Sequence, residues 1–300
     1  MPCLATSDRY IIDLPAGHRF PITKYELIHQ QLLWQGIASA SDFYDPGLCP
    51  EEDLLRVHTR EYWEKVRDQR LSPAEVRRLG LPQSERLVLR SLSSSAGTLQ
   101  SARRALTDGV ALNLAGGTHH AFADHGEGFC VFNDIAIAAM HLLHHGLARQ
   151  ILVVDLDVHQ GDGTASIFRH EPRVFTFSMH AGANYPLRKE QSDLDIALDL
   201  GLSDAAYLAQ LRATLPGLLT QVQPDFIFFQ AGVDVLATDK LGKLALTKEG
   251  CRHRDELVLG LCRQHRLPVA VSMGGGYSER IADIVEAHAN TFRLMQEVYF

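Results

Sequence analysis

Apolar positions along the chain follow two periods, and the change between them falls at Asp108-Gly109. Before it the spacing is helical. Thr23 is placed as a cap, and Leu27, Leu32 and Leu33 give an apolar face to a helix predicted to stop near Gly36. The Asp45-Pro46-Gly47 turn separates it from a second helix, opened by Pro50-Glu51-Glu52-Asp53 with acids in its first turn. That helix carries Leu54, Leu55, Val57, Tyr62, Trp63 and Val66. A long helix is predicted over about 84–107, and Ser93-Ser94-Ser95 and Gly97 within it indicate close approach to a neighbour.

After Gly109, short apolar runs alternate with helical stretches. Strands are predicted over 110–115, 151–155, 173–178, 225–230 and 268–273, and helices over about 133–145, 164–169, 203–221, 247–265 and 279–297. Continuous runs such as Ile151-Leu152-Val153-Val154 suit strands buried on both faces. The alternation predicts an α/β fold: a mainly parallel β-sheet flanked by helices on both faces, in a single domain over residues 1–300. The stretch 180–195, with Gly182, Asn184, Pro186 and Arg188-Lys189-Glu190, is predicted as a surface loop over a site.

Composition narrows the function classes. A chain of 300 residues with 46% hydrophobic content can bury a sizeable core. Lys and Arg number 29 against 36 Asp and Glu, a net charge of -7, and no basic run stands out, which argues against direct nucleic-acid binding. Cys3, Cys49, Cys130, Cys251 and Cys262 form no CxxC pair and are odd in number, so neither a disulfide framework nor a thiolate zinc site is indicated. A reducing cytoplasm is the expected compartment. The N-terminus lacks a basic segment followed by an apolar core, and no run reaches the ~18 apolar residues of a membrane span, so no membrane association is expected.

Candidate chemistry sits after the strands. The first is followed by Gly116-Gly117-Thr118-His119-His120, the second by Asp155-Leu156-Asp157-Val158-His159-Gln160-Gly161-Asp162-Gly163, the third by His180, the fourth by Gln230-Ala231-Gly232-Val233-Asp234, and the fifth by Gly274-Gly275-Gly276-Tyr277. Open α/β sheets place ligands at such carboxyl ends. If the second strand continues, residues 155, 157 and 159 share a face, and Asp157 and His159 converge. Buried carboxylates are costly unless paired or bound to a cation, although alone this segment reads equally well as an acidic turn. His119 and His120 suit a base and acid pair, with Asp155 and Asp162 as spare carboxylates to fix their tautomers; alone they read as an exposed loop. Five such ends in one chain amount to a site signature.

With these motifs in order, the chain resembles the histone deacetylase family, metal-dependent amidohydrolases of the arginase/deacetylase fold. The likeness runs from His18-Arg19-Phe20-Pro21 and Arg56-Val57-His58-Thr59-Arg60-Glu61-Tyr62 to Met273-Gly274-Gly275-Gly276-Tyr277. It implies zinc held by Asp157, His159 and Asp234, His119 and His120 as catalytic histidines partnered by Asp155 and Asp162, and Tyr277 as a carbonyl-polarising phenol. Three protein ligands leave a position open, as a catalytic site requires, and mixed nitrogen and oxygen donors also admit ferrous iron. The resemblance further implies Phe129 as one wall of an acyl-lysine tunnel, Gly128 as a backbone acceptor for the substrate amide, and Gly275 beside the substrate. It also implies a structural potassium ion at Asp155, Asp157, His159, Ser178 and Met179.

The chain departs from the family pattern in two places. Gln160 stands where many relatives carry histidine, and the segment Ser178–Pro186 lacks the phenylalanine of the opposite tunnel wall, leaving His180 or Tyr185 to fill it. In its short termini the chain resembles compact bacterial and class IV-like members. The expected activity is removal of acetyl or other acyl groups from lysine in a protein or peptide. The alternatives are a small-molecule amidohydrolase acting on an acylated amine such as an acetylpolyamine, which an acidic rim would favour, and a non-catalytic acyl-lysine-binding module.

Overall fold

The computed structural model describes residues 3–300. Its strands are β1 (Leu4–Ala5), β2 (Phe43–Tyr44), β3 (Val110–Asn113), β4 (Ile151–Asp155), β5 (Val174–Ala181), β6 (Leu194–Leu198), β7 (Phe226–Gln230) and β8 (Val269–Ser272). They form one sheet in the order β2-β1-β3-β8-β7-β4-β5-β6, and every pairing is parallel. Strands β3, β4, β7 and β8 are buried throughout, as their unbroken apolar runs require.

The helices are α1 (Lys24–Trp34), α2 (Glu51–Leu54), α3 (Arg60–Arg67), α4 (Pro73–Leu79), α5 (Glu85–Asp108), α6 (Asp134–His144), α7 (Asp162–Phe168), α8 (Asp204–Val222), α9 (Lys248–His265) and α10 (Ile281–Tyr299). Two contiguous groups, α5-α6-α7 and α1-α10-α9-α8, flank the sheet. The long helix α5 is capped by Ser84, whose side chain accepts from the Leu87 N–H, and stops at left-handed Gly109. Its small residues do meet a neighbour: a Cβ at Gly97 would lie 2.5 Å from the Tyr10 hydroxyl and 2.6 Å from the Asn113 amide.

Four expectations change. The second helix is two, because Thr59 caps a new start by accepting from the Tyr62 N–H at 3.2 Å, while its own N–H donates to the Ala123 carbonyl. Thr23 makes no side-chain cap bond to α1. Helix α4 was not anticipated, although Ser72 and Glu75 form a capping box with Pro73 at its first position. The predicted loop 180–195 is trimmed at both ends: β5 continues through His180 to Ala181, and Leu194–Leu198 pairs with Phe177–Ala181 as β6.

Register brings the strand ends level. Asp155 pairs with both Ser178 and Gln230, Gln230 pairs with Ser272, and Ser272 with Asn113. Whatever follows each strand therefore emerges at the same edge.

Candidate active site

At that edge, Asp157, His159 and Asp234 each offer a ligand atom, and these atoms all lie within 4.8 Å of one another. His159 Nδ1 is 3.1 Å from Asp157 Oδ1 and 3.2 Å from Asp234 Oδ2. The two carboxylates are held by backbone: the Gly275 N–H donates to Asp157 Oδ2 at 2.9 Å, and the Val158 N–H to Asp234 Oδ1 at 2.9 Å. Asp234 Oδ2 is buried and, beyond the 3.2 Å approach of His159 Nδ1, has no hydrogen-bonding partner.

Charge is frustrated in this cluster. Burial and the Asp157 carboxylate hold Asp234 well above the usual carboxylate range. Asp157 goes the other way, because His119 and His159 outweigh its burial. His159 is held up at about 10, burial being overcome by Asp157 and Asp234. Two buried carboxylates sharing one imidazole, with an oxygen left unpaired, fit a divalent cation bound by Asp157, His159 and Asp234.

The tandem histidines turn their Nδ1 atoms to separate carboxylates: His119 to Asp155 Oδ2 at 2.7 Å, His120 to Asp162 Oδ1 at 2.6 Å. A carboxylate only accepts, so each Nδ1 carries the proton and each Nε2 is directed elsewhere. His119 Nε2 lies 3.8 Å from Asp157 Oδ1. Burial lowers both imidazoles, but the Asp155 and Asp157 carboxylates reverse this at His119 and raise it to about 9. At His120 burial and the neighbouring His119 prevail, pushing it down to about 4.

A cavity of about 290 Å³ leads to His120, His159 and Tyr277, passing Gly128, Phe129 and Tyr185. Phe129 has φ +69°, an unfavourable region for a side-chain-bearing residue, and is fixed there by its N–H to the Leu79 carbonyl at 2.8 Å. Its ring packs on Phe20 at 5.3 Å and Tyr277 at 5.9 Å between centroids. Tyr185 stands edge-on to His120, 5.0 Å between centroids, with its hydroxyl donating to Glu127. Tyr277 is anchored through its N–H to Asp239 Oδ2 at 2.6 Å, and burial followed by Asp234 and Asp157 pushes its phenol well up.

Not every expected residue reaches the cavity. His180 is buried in β5 with Nδ1 on the Ser178 hydroxyl at 3.0 Å and does not line the cavity; of the two residues only Tyr185 does. Gly275 lines a smaller adjoining cavity with Asp157, His159 and Tyr277, where a Cβ would be 1.9 Å from Asp234 Oδ2, so it lies against the ligand carboxylates. Asp155 and Ser178 are register partners, while Asp155 is engaged by His119 and by the Asp157 N–H. Gln160 is not directed at the cluster; its amide bonds the Glu190 backbone and Asp195, pinning the loop between β5 and β6.

Supporting residues escaped sequence reasoning because they lie far away in the chain. Arg254 of α9, wholly buried, donates through Nη1 to the Leu156 carbonyl at 3.1 Å and the Gly232 carbonyl at 2.5 Å, each close in sequence to a ligand. Asp134 at the start of α6 accepts from the Gly117 and Thr118 N–H groups and holds the turn before His119. Lys24 is buried and donates to the Gly274 carbonyl at 3.0 Å. A second acid and histidine group, Asp53, His141 and His145, lies away from the cavity, and there the Arg56 guanidinium already faces Asp53 at 3.3 Å.

The chain is similar to known proteins over nearly its whole length. The histone deacetylase domain family model matches residues 18–292. An uncharacterised protein of Picosynechococcus sp. is 47% identical over 290 residues, covering 97% of both chains. Histone deacetylase 2 of Arabidopsis thaliana is 26% identical, over 89% of this chain and 72% of its own. Histone deacetylase 1 of Homo sapiens is 28% identical, over 88% of this chain and 58% of its own. The crystal structure of the HDA15 HD domain superposes with a TM-score of 0.82 at 22% identity, covering 98% of this chain and 90% of that one. The chain therefore belongs to the histone deacetylase family and is a hydrolase of amide bonds, built on a parallel α/β sheet.

Proposed function

We propose that the protein removes acetyl or related acyl groups from lysine side chains, with a zinc or ferrous ion held by Asp157, His159 and Asp234, within one catalytic domain spanning the chain. The observation that carries this reading is the convergence of two His–Asp pairs and Tyr277 on that ligand cluster at the end of a cavity walled by Phe129 and Tyr185. Bound there, the cation supplies Lewis acidity toward the acyl carbonyl and the attacking water.

The chain's own residues supply the rest. His120, kept neutral by burial, presents Nε2 to take the water's proton while Nδ1–H remains on Asp162. His119, bonded through Nδ1 to Asp155 and with Nε2 3.8 Å from Asp157, stands beside the ligand cluster and stabilises the oxyanion electrostatically as it develops. The Tyr277 hydroxyl, kept protonated, donates to that oxyanion. As the C–N bond breaks, His120 returns its proton to the departing amine, and the products are a free amine and a carboxylate. Gly128 lines the cavity, and its carbonyl, which also accepts from the Cys130 thiol at 3.5 Å, is assigned as the acceptor for the substrate amide N–H. Oxygen donors around Asp155 and Ser178 suit a structural potassium ion.

The test is a panel of acetyl- and longer acyl-lysine peptides with wild type, His120→Ala and Tyr277→Phe, each with its metal content measured. Turnover by the wild type, and its loss in both variants at unchanged metal content, is the expected result. Undiminished turnover by His120→Ala would remove the assigned base.

A further inference from the structure

The mouth of the cavity carries a charge that neither the mechanism nor the chain's overall balance requires. Arg19, Arg77 and Arg78 line it, all exposed, and no acidic side chain does. Among the described residues none of the three forms a salt bridge or a side-chain hydrogen bond, although most other arginines on the surface are paired. The protein as a whole is at -7. Nearby acids are committed elsewhere: Glu127 accepts from the Tyr185 hydroxyl, and Glu75 caps α4 at Ser72 and faces Lys65 at 3.5 Å.

These arginines are attached to the cavity wall. Gly128 N–H donates to the Arg78 carbonyl at 3.3 Å, and Phe129 N–H to that of Leu79. His18 Nε2 is 3.0 Å from the Gly80 carbonyl, which draws the segment bearing Arg19 to the same point. Basic residues in the last turn complement a helix dipole, which accounts for Arg77 and Arg78 on α4. Arg19 is on no helix, yet converges with them. Three unpaired guanidiniums around an opening focus a positive potential there and favour carboxylates.

We propose that the substrate carries carboxylate groups just outside the tunnel, as an acyl-lysine flanked by acidic residues in a peptide does, and that Arg19, Arg77 and Arg78 select it. This rests on the deacylase reading and specifies its substrate class. Lysine-rich segments and acylated polyamines, whose remaining charges are positive, are disfavoured by the same field. Free Nε-acyl-lysine offers the same chemistry through its α-carboxylate.

The experiment compares kcat/KM for acetyl-lysine peptides flanked by glutamate, alanine or lysine, and for free Nε-acetyl-lysine against its α-amide, at low and high salt. A preference of roughly tenfold for glutamate over lysine flanks at low salt, shrinking at about 0.5 M salt, is expected. The Arg77→Glu/Arg78→Glu protein should invert the order, whereas Arg103→Glu, a control at an exposed position of α5 that does not line the cavity, should not. A preference for the free acid over its amide, without a peptide preference, would support the carboxylate and identify the small molecule as its source. Equal rates across both series, or an order unmoved by the double substitution, overturn the proposal. Fluorescence anisotropy with the same labelled peptides on metal-loaded Tyr277→Phe protein separates the two claims. Glutamate-selective binding without wild-type turnover would count against the deacylase reading and leave the selectivity standing.

Discussion

Asp157 shows how closely this site is specified by single groups. Its Oδ1 accepts from the His159 N–H at 3.0 Å and its Oδ2 from that of Gly275 at 2.9 Å, so its direction is set by backbone before any ion arrives. Gly275 is required there for want of space. Gly275→Ala is expected to displace Asp234 and weaken metal binding by ~10–100-fold, measured by competition with a chromogenic chelator. Tyr277→Phe removes one hydroxyl while its N–H to Asp239 remains; kcat should fall ~100-fold or more with KM nearly unchanged. The ligating and proton-carrying types stood out in the sequence because carboxylates and imidazoles after apolar runs are costly without a purpose. His180 did not follow, because the continuation of β5 by three residues turned it into the interior, a boundary that local pattern leaves open.

At the scale of elements, the strands and helices that carry the motifs were legible, since long apolar runs and capped amphipathic stretches announce themselves. β1 and β2, two residues each, are too short to have a period. β6 hid inside a polar stretch, although Leu194, Ile196 and Leu198 alternate with Asp195 and Ala197. The omission of α4 mattered most, because its last turn forms the rim with Arg77 and Arg78. Helix α9 contributes from a distance: Arg254 pairs with Asp255 at 2.7 Å and braces the carbonyls of Leu156 and Gly232. Arg254→Leu leaves the buried Asp255 carboxylate without its cation, with only the Thr291 hydroxyl donating to it, and removes the donor to two carbonyls. Destabilisation of ~3–5 kcal/mol is expected in chemical denaturation, and a loss much below that would mean the clamp is dispensable.

Across the whole molecule, parallel register sets the level at which five strand ends deliver their residues, and long-range packing then closes the site. The order of the strands was not readable, because periodicity says which face a residue takes but not which neighbour it meets. Buried histidines make the folded state sensitive to acid. His58, between α2 and α3, accepts from the Asn133 N–H at 3.0 Å, and burial pushes it down to about 4. Its unfolded counterpart titrates near ~6.5, so the unfolded chain binds the extra proton first. Stability attached to His58 is complete above that pH and is lost as pH falls toward about 4, at ~1.4 kcal/mol per unit. Denaturant unfolding between pH 7 and 5 should show a shallower decline for His58→Gln than for wild type; parallel curves would contradict it. No helix among the described residues is long and apolar enough to cross a membrane.

The central claim is that amide hydrolysis depends on an ion held by Asp157, His159 and Asp234. Its most direct test is acetate release from an acetyl-lysine peptide by protein stripped with chelator and then titrated with zinc or ferrous iron. Activity should be absent from the stripped protein and rise to a plateau at one ion per chain, while Asp157→Asn neither retains the ion nor recovers. Full activity in the stripped protein, or recovery in Asp157→Asn equal to wild type, would contradict the account.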